Sequence, residues 1–251
     1  MFLKRILLPL ALMLALSIPA NAEVVGVYGG LKFIDSIQGT GAVSKTVPSA
    51  FGPDFGKLGI GSYTQNTVGG GIFIGYDFYP KFQAPVRVEI EYAIRTNMST
   101  DWSKSLHFLA GPGIDLSQNI KAEWNLQTIF ANMYLDFHNS TAFTPYIGGG
   151  LGMGFINNSY KGEMTITVPP SSLTMETFSK NKLNTVFAWN IGAGCSYAFT
   201  ENFSLDLAYR FVGLGYNQVS DRVSAATGGE KIKIGTSPYA HEISLGARFT
   251  F

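Results

Sequence analysis

Arg87-Val88-Glu89-Ile90-Glu91-Tyr92-Ala93-Ile94-Arg95 is the stretch that decides the fold. Together with Val86, the residues Val88, Ile90, Tyr92 and Ile94 share one parity, while Arg87, Glu89, Glu91 and Arg95 share the other. A helical repeat would scatter these charges around its circumference. A strand sorts them onto one side. Phe203-Ser204-Leu205-Asp206-Leu207-Ala208-Tyr209-Arg210-Phe211 repeats the pattern, and so does the C-terminus. There Ile243, Leu245, Ala247, Phe249 and Phe251 alternate with Glu242, Ser244, Gly246, Arg248 and Thr250.

Extending the parity along the chain predicts eight strands, near Val24–Ile34, Thr67–Tyr79, Pro85–Thr96, Ala122–His138, Thr144–Ile156, Leu183–Phe199, Phe203–Leu214 and Pro238–Phe251. The connections alternate in length. Those at Pro80–Ala84, Asn139–Phe143 and Thr200–Asn202 read as short turns, whereas residues 35–66, 97–121, 157–182 and 215–237 read as long polar loops. Segments of about 10 residues suit a tilted bilayer crossing, and short turns opposite long loops are the asymmetry of a membrane barrel. The expected class is all-β, an eight-stranded antiparallel up-and-down transmembrane β-barrel.

Composition narrows the function classes. Charged residues make up 14% of the 251 positions, with 18 Lys+Arg against 17 Asp+Glu; a soluble domain carries about 25%. Disorder is excluded by the aromatic content, and no basic footprint for nucleic acid exists. The single cysteine, Cys195, excludes an intramolecular disulfide framework and a cysteine zinc cage; its place on an apolar strand face reads as a small hydrophobe. At the N-terminus, Lys4 and Arg5 precede an apolar run, Ile6 to Ile18, followed by Ala20-Asn21-Ala22. This is the layout of a secretory signal peptide, 1–22, cleaved after Ala22, with the barrel domain occupying 23–251.

Alternation alone fits a water-soluble barrel as well, with its apolar face turned inward. Three features favour the apolar face outward. Glycines crowd the polar face, as at Gly148, Gly150, Gly152 and Gly154 and at Gly69, Gly71 and Gly75, and a narrow eight-stranded interior needs them. Aromatic residues gather beside the short turns, among them Tyr76, Phe78, Phe137, Tyr197, Phe199, Phe203, Phe249 and Phe251, as in an interfacial girdle. The signal peptide is the third. The interior then holds Lys32, Arg87, Arg95, Arg210 and Arg248 against Asp77, Glu89, Glu91, Asp136, Asp206 and Glu242. Buried charges of that number must pair, so a salt-bridged, non-conducting plug is expected rather than a channel.

The whole mature chain resembles the small eight-stranded outer-membrane barrels of Gram-negative bacteria, such as the outer-membrane protein A transmembrane domain and the Opa-type opacity and surface-antigen proteins. The resemblance is carried by Gly69-Gly70-Gly71-Ile72-Phe73-Ile74-Gly75-Tyr76-Asp77-Phe78, by Pro145-Tyr146-Ile147-Gly148-Gly149-Gly150-Leu151-Gly152, and by the ending His241 to Phe251. It implies location in the bacterial outer membrane, contact with outer-membrane lipid and lipopolysaccharide, and an assembly signal at Phe249 and Phe251 read by the barrel-assembly machinery. With the eighth strand as its last segment, the chain is expected to be without the peptidoglycan-binding domain of outer-membrane protein A.

Chemistry is sparse. Lipid A deacylase barrels place Ser and His together, but His241 has Ser237 and Ser244 off its face. His107 near Asp101 and Asp115 is a weak metal or His/Asp pattern, and His138 falls at a turn. Gly148 to Gly154 fits no phosphate-binding motif. Two short glycosylation sequons, at Asn157 and Asn202, carry little weight. No cofactor is expected. The leading reading is a non-enzymatic scaffold that presents its loops to an extracellular ligand, in an adhesin- or opacity-like or a purely structural role. An enzyme acting on lipid A or peptide and a small-solute pore are the alternatives. Phe51, Phe55, Tyr63, Trp102, Leu106, Phe108, Met164, Ile166 and Met175 are the candidate loop contacts, with packing against the barrel rim as their other reading.

Overall fold

A computed structural model describes residues 25–46, 61–108, 114–222 and 231–251. The strands are β1 (Val27–Gly39), β2 (Val43–Thr46), β3 (Thr64–Asp77), β4 (Val86–Arg95), β5 (Met98–Phe108), β6 (Ile114–Asp136), β7 (Phe143–Val168), β8 (Ser171–Ala198), β9 (Phe203–Leu214), β10 (Asn217–Arg222), β11 (Lys231–Thr236) and β12 (Tyr239–Thr250). One turn of helix, Tyr79–Phe82, follows β3. Antiparallel pairing runs β1–β3–β4–β6–β7–β8–β9–β12 and returns to β1, closing an eight-stranded barrel. The closing register sets Tyr28 opposite Thr250.

Parity assigns the faces as expected. On β4, Arg87, Glu89, Glu91 and Arg95 are buried while Ile90 is exposed. Glu91 is 0% exposed, whereas Leu151 on β7 is 63% and Ile191 on β8 is 61% exposed. Outward-pointing aliphatic residues at this exposure on several strands are a belt built for an apolar surround, the reverse of a soluble barrel.

The long polar loops are corrected by the structure. Most of residues 97–121, 157–182 and 215–237 are strand: β7 and β8 continue as one hairpin to Val168 and Ser171, and β6 reaches up to Ile114. β4 stops at Arg95 and β5 starts at Met98, yet both pair along β6, with Ile94 opposite Gln127 and Met98 opposite Trp124. The four-stranded sheet β5–β6–β7–β8 therefore rises past the barrel, and a separate sheet, β10–β11–β2, stands beside it.

The physical reason is a reversal of polarity within single strands. Outward residues of β6 are Leu135, Met133, Ala131 and Ile129, then Gln127, Asn125, Glu123 and Lys121. Inward residues are Asp136, Tyr134, Asn132, Phe130 and Thr128, polar groups interleaved with two aromatic rings, then the wholly apolar Leu126, Trp124, Ala122 and Ile120. β7 changes in the same way, outward from Leu151, Met153 and Phe155 to Asn157, Ser159 and Lys161. Above the barrel the strands obey the ordinary water rule, apolar in and polar out.

The inward residues of the upper strands form a core of their own, a head domain on the barrel. Met98, Ile120, Trp124, Leu126, Ile156 and Tyr160 pack with Val186, Val212, Leu214, Val219 and Ile234. Trp124 donates to the Tyr160 hydroxyl at 2.9 Å and meets the rings of Tyr160 and Trp102 edge-on. Asn158 and Asn217 tie the two sheets. Asn217 donates to the Asn158 side chain at 2.9 Å, and Asn184 donates to Asn217 at 2.6 Å.

Candidate functional site

The interior of the barrel holds a linear chain of alternating charges. Lys32 on β1 lies 3.3 Å from Glu89 and 2.5 Å from Glu91. Arg210 on β9 donates to Glu91 at 3.0 Å and to Glu242 at 2.7 Å. Its second terminal nitrogen sits 2.8 Å from the other Glu91 oxygen, close but off the hydrogen-bond direction. Arg95 completes the chain by gripping Glu242 with two bonds, 2.6 and 3.1 Å, and Thr128 with a third at 3.0 Å. Ser36 supplies Glu242 with a further donor at 3.0 Å. The order Glu89–Lys32–Glu91–Arg210–Glu242–Arg95 thus gives every internal member a partner on both sides.

Two pairs lie nearer the short turns. Arg87 forks onto Asp136 at 2.6 and 2.9 Å, with its guanidinium 5.0 Å from the Tyr146 ring and 5.2 Å from that of Tyr134. Arg248 lies 3.3 Å from Asp206 and donates to Ser196 at 2.7 Å. Asp77 stands apart from all of these. Its carboxylate accepts the Tyr79 backbone N–H at 2.9 Å at the start of the helical turn. Without it the interior set is five cations against five carboxylates, neutral as a unit. Neutrality matters because an unpaired charge out of water costs several kcal/mol.

Glycines give these side chains room. Gly148 and Gly150 on β7 face Tyr134 and Asn132 on β6, and a methyl at either would run into the facing side chain. Between Lys32, Tyr134, Asp206 and Arg210 there remains a cavity of about 40 Å³, on the order of one water.

Phe249 and Phe251 point outward at the opposite end from the head. Phe249 meets Phe203 at 4.8 Å, and the row continues through Phe199, Tyr197 and Phe143. The Phe251 backbone N–H is held by the Val27 carbonyl at 2.9 Å.

The histidines are dispersed. His241 is exposed and its Nδ1 lies 2.8 Å from the Tyr209 hydroxyl, while Ser244 is buried on the opposite face. His138 stacks on Tyr79 at 3.7 Å. His107 stands opposite Asp115 in the β5–β6 register. Among the described residues no group of His, Cys, Asp and Glu could hold a metal ion.

The candidate loop contacts divide. Met164 is buried, and Tyr63 and Trp102 pack on the head core, so these three serve the interior of the head. Ile166 and Met175 are half-buried. Phe51 and Phe55, together with the side chains of Leu106 and Phe108, lie outside the described residues, as does the segment 1–22. The head core and its asparagine tie escaped the sequence reading. The reversal of apolar parity near Gln127 on β6 was the signal that could have found them.

Residues 7–251 match the family described as outer membrane protein beta-barrel domain. The chain belongs to that family. Its relatives include the outer membrane protein PagN of Salmonella typhimurium, 34% identical over 188 residues, which span 75% of this chain and 74% of PagN. A Rickettsia conorii protein provisionally named an adhesin is 26% identical over 212 residues, 82% of this chain and 76% of its own. Among solved structures, OprG of Pseudomonas aeruginosa superposes with a TM-score of 0.47 at 17% identity, covering 90% of this chain and 97% of OprG. The barrel accordingly sits in the bacterial outer membrane, its aliphatic belt against lipid and its head on the extracellular side.

Proposed function

We propose that this outer-membrane barrel is a non-enzymatic scaffold holding a rigid extracellular head as a surface-binding module, adhesin-like in role, on a non-conducting lumen. The observation that carries the reading is the head's own core. Trp124, Tyr160 and Met164 spend their apolar surface inward, so the surface offered to a ligand is the polar outside of a stiff sheet rather than a set of sticky loops. The provisional adhesin name of the Rickettsia relative supports the same direction. Pairing of all ten interior charges supports a plug, since each break leaves a charge out of water. Residues 1–22 act as the cleaved signal peptide. Phe249 and Phe251 are the signal for the barrel-assembly machinery, a role supported by their outward aromatic placement at the last strand.

The test compares non-adherent bacteria displaying the full barrel with bacteria displaying a barrel in which residues 98–121 and 157–182 are replaced by short turns. Attachment to cultured epithelial cells should be lost with the head while the barrel stays heat-modifiable. Equal attachment by both strains would overturn the binding role. Planar-bilayer recordings check the lumen: steady current through the wild type would replace the plug with a pore.

A further inference from the structure

Where β4 breaks off and β5 begins, the outside of the barrel carries a notch of about 300 Å³, the lower end of the ~300–1,000 Å³ range of small-molecule sites. Four planar amides converge on it, Asn97, Asn125, Gln127 and Asn157. Three of them are held in place by hydrogen bonds. Asn125 donates to the Arg95 carbonyl at 2.7 Å and to Asn97 at 3.1 Å, Gln127 donates to Asn125 at 3.2 Å, and Tyr92 donates to Gln127 at 2.7 Å. Glu123, Ser159, Ile94 and Trp124 complete the lining. Among the described residues Asn157, Ser159 and Glu123 form no side-chain hydrogen bond or ion pair, so the outer rim keeps free donors and acceptors while the inner wall is fixed.

Its height is set by the polarity change described above. Immediately below lie the lipid-facing Ile90, Ile129 and Met153, and immediately above on the same strands lie Lys121 and Lys161. The notch therefore opens at the boundary between acyl chains and head groups of the outer leaflet. No lysine or arginine lines the notch itself, and the Glu123 carboxylate repels a phosphate placed within it. Fixed amides, a hydroxyl and one carboxylate offer alternating donors and acceptors to a ring of vicinal hydroxyls. Ile94 and Trp124 in the lining suit the carbon face of that ring.

We propose that this notch binds a neutral hexopyranose, presented as the sugar head group of an outer-leaflet glycolipid whose acyl chains lie on the belt beneath. The notch lies at the base of the head's outward face, and its lipid-retention readout, unlike cell attachment, separates this proposal from the adhesin-like reading.

The experiment places the full mature barrel in phosphatidylcholine vesicles doped with monoglucosyl diacylglycerol or, separately, with phosphatidylglycerol. Native mass spectrometry then counts the lipid retained after detergent extraction. The wild type should retain the glucolipid about tenfold over phosphatidylglycerol. Asn157→Ala combined with Ser159→Ala should lower glucolipid retention roughly tenfold, the loss of two modest hydrogen bonds, while Thr165→Ala further up β7 should not. Glu123→Lys should shift retention towards phosphatidylglycerol. Heat-modifiability checks that each variant is folded. Equal retention of both lipids by the wild type, or undiminished retention by the folded double variant, would overturn the site. Free methyl glucoside binding as tightly as the lipid-linked sugar would overturn the membrane source.

Discussion

The lower and upper halves of β6 and β7 point their side chains the same way and carry opposite chemistry. In the barrel half, Leu151 and Met153 face out and Asp136 and Asn132 face in; in the head half, Lys161 and Ser159 face out and Trp124 and Ile120 face in. Nothing in the backbone changes between them, since the ladder β6–β7 runs unbroken from Asp136 to Asp115. What changes is the surrounding medium. Below, lipid accepts aliphatic side chains outside, and the interior must then be filled by polar groups satisfying one another. Above, water accepts the polar side chains, and burial of apolar surface supplies the stabilisation. One pleated sheet thus carries two cohesive strategies, ion pairing in one half and hydrophobic packing in the other.

The sharpest way to break that contrast is to delete the shared anion of the lower half. Glu242 serves both Arg95 and Arg210, so Glu242→Ala should destabilise the barrel by about 3–5 kcal/mol, read from urea unfolding in lipid vesicles. The Arg87–Asp136 pair gives a cleaner cycle because each member has the other as its charge partner. Asp136→Ala should cost about 3 kcal/mol, and adding Arg87→Ala should recover part of it. In the upper half the same urea experiment with Trp124→Ala should show a loss of about 3–5 kcal/mol confined to the head. Limited proteolysis should then cut within residues 97–121 or 157–182 while the barrel keeps its heat-modifiable migration. Global unfolding of the barrel by Trp124→Ala would merge the two halves into one cooperative unit.

A single substitution on one face of one strand tests the role of the medium. Leu151→Arg faces lipid and should cost about 2–4 kcal/mol. Thr165→Arg on the same face, higher up β7, should fall within about 0.5 kcal/mol. Similar costs at the two positions would deny the polarity change. The smallest effect belongs to the exposed pair Lys161–Glu163, 2.8 Å apart. The hydrogen bond from Lys161, followed by its charge, holds the Glu163 carboxyl below its ordinary value of 4.5. Whatever the pair contributes is complete above that ordinary value and vanishes as pH falls through the lowered one. Titration of the Glu163 carboxyl by NMR should show the depressed midpoint, and Lys161→Ala should move it back towards the ordinary value without changing the unfolding transition.

The lower half was legible because its signal is redundant. On β4, four charges at alternate positions, the glycines of β7 and the phenylalanines by the short turns all demand the same facing. The upper half was hidden because composition spoke louder than parity. Residues 157–182 are rich in Ser, Thr, Asn and Lys, and this composition masks a short alternation at Met164, Ile166 and Val168 and again at Leu173 and Met175. A bulge near Gly162 and Glu163 shifts the β7–β8 register by one residue of β8, so that Met164 faces Met175 and the two arms of the hairpin do not keep one common count. Asp77 illustrates a limit of a different kind. Parity puts it in line with Arg87, its register partner, but the strand ends there and the nearest backbone N–H claims its carboxylate.

The seam between β1 and β12 joins the first described strand to the last, with Tyr28 opposite Thr250. Contacts at such sequence separation are slow to find and come late. The first strand must therefore wait, without its second neighbour, until β12 has been synthesised and carried across the periplasm. An edge left open that long invites pairing with any other strand it meets. A copy lacking β12 would keep that edge open for good, so closure of the barrel and removal of its aggregation-prone edge are one event.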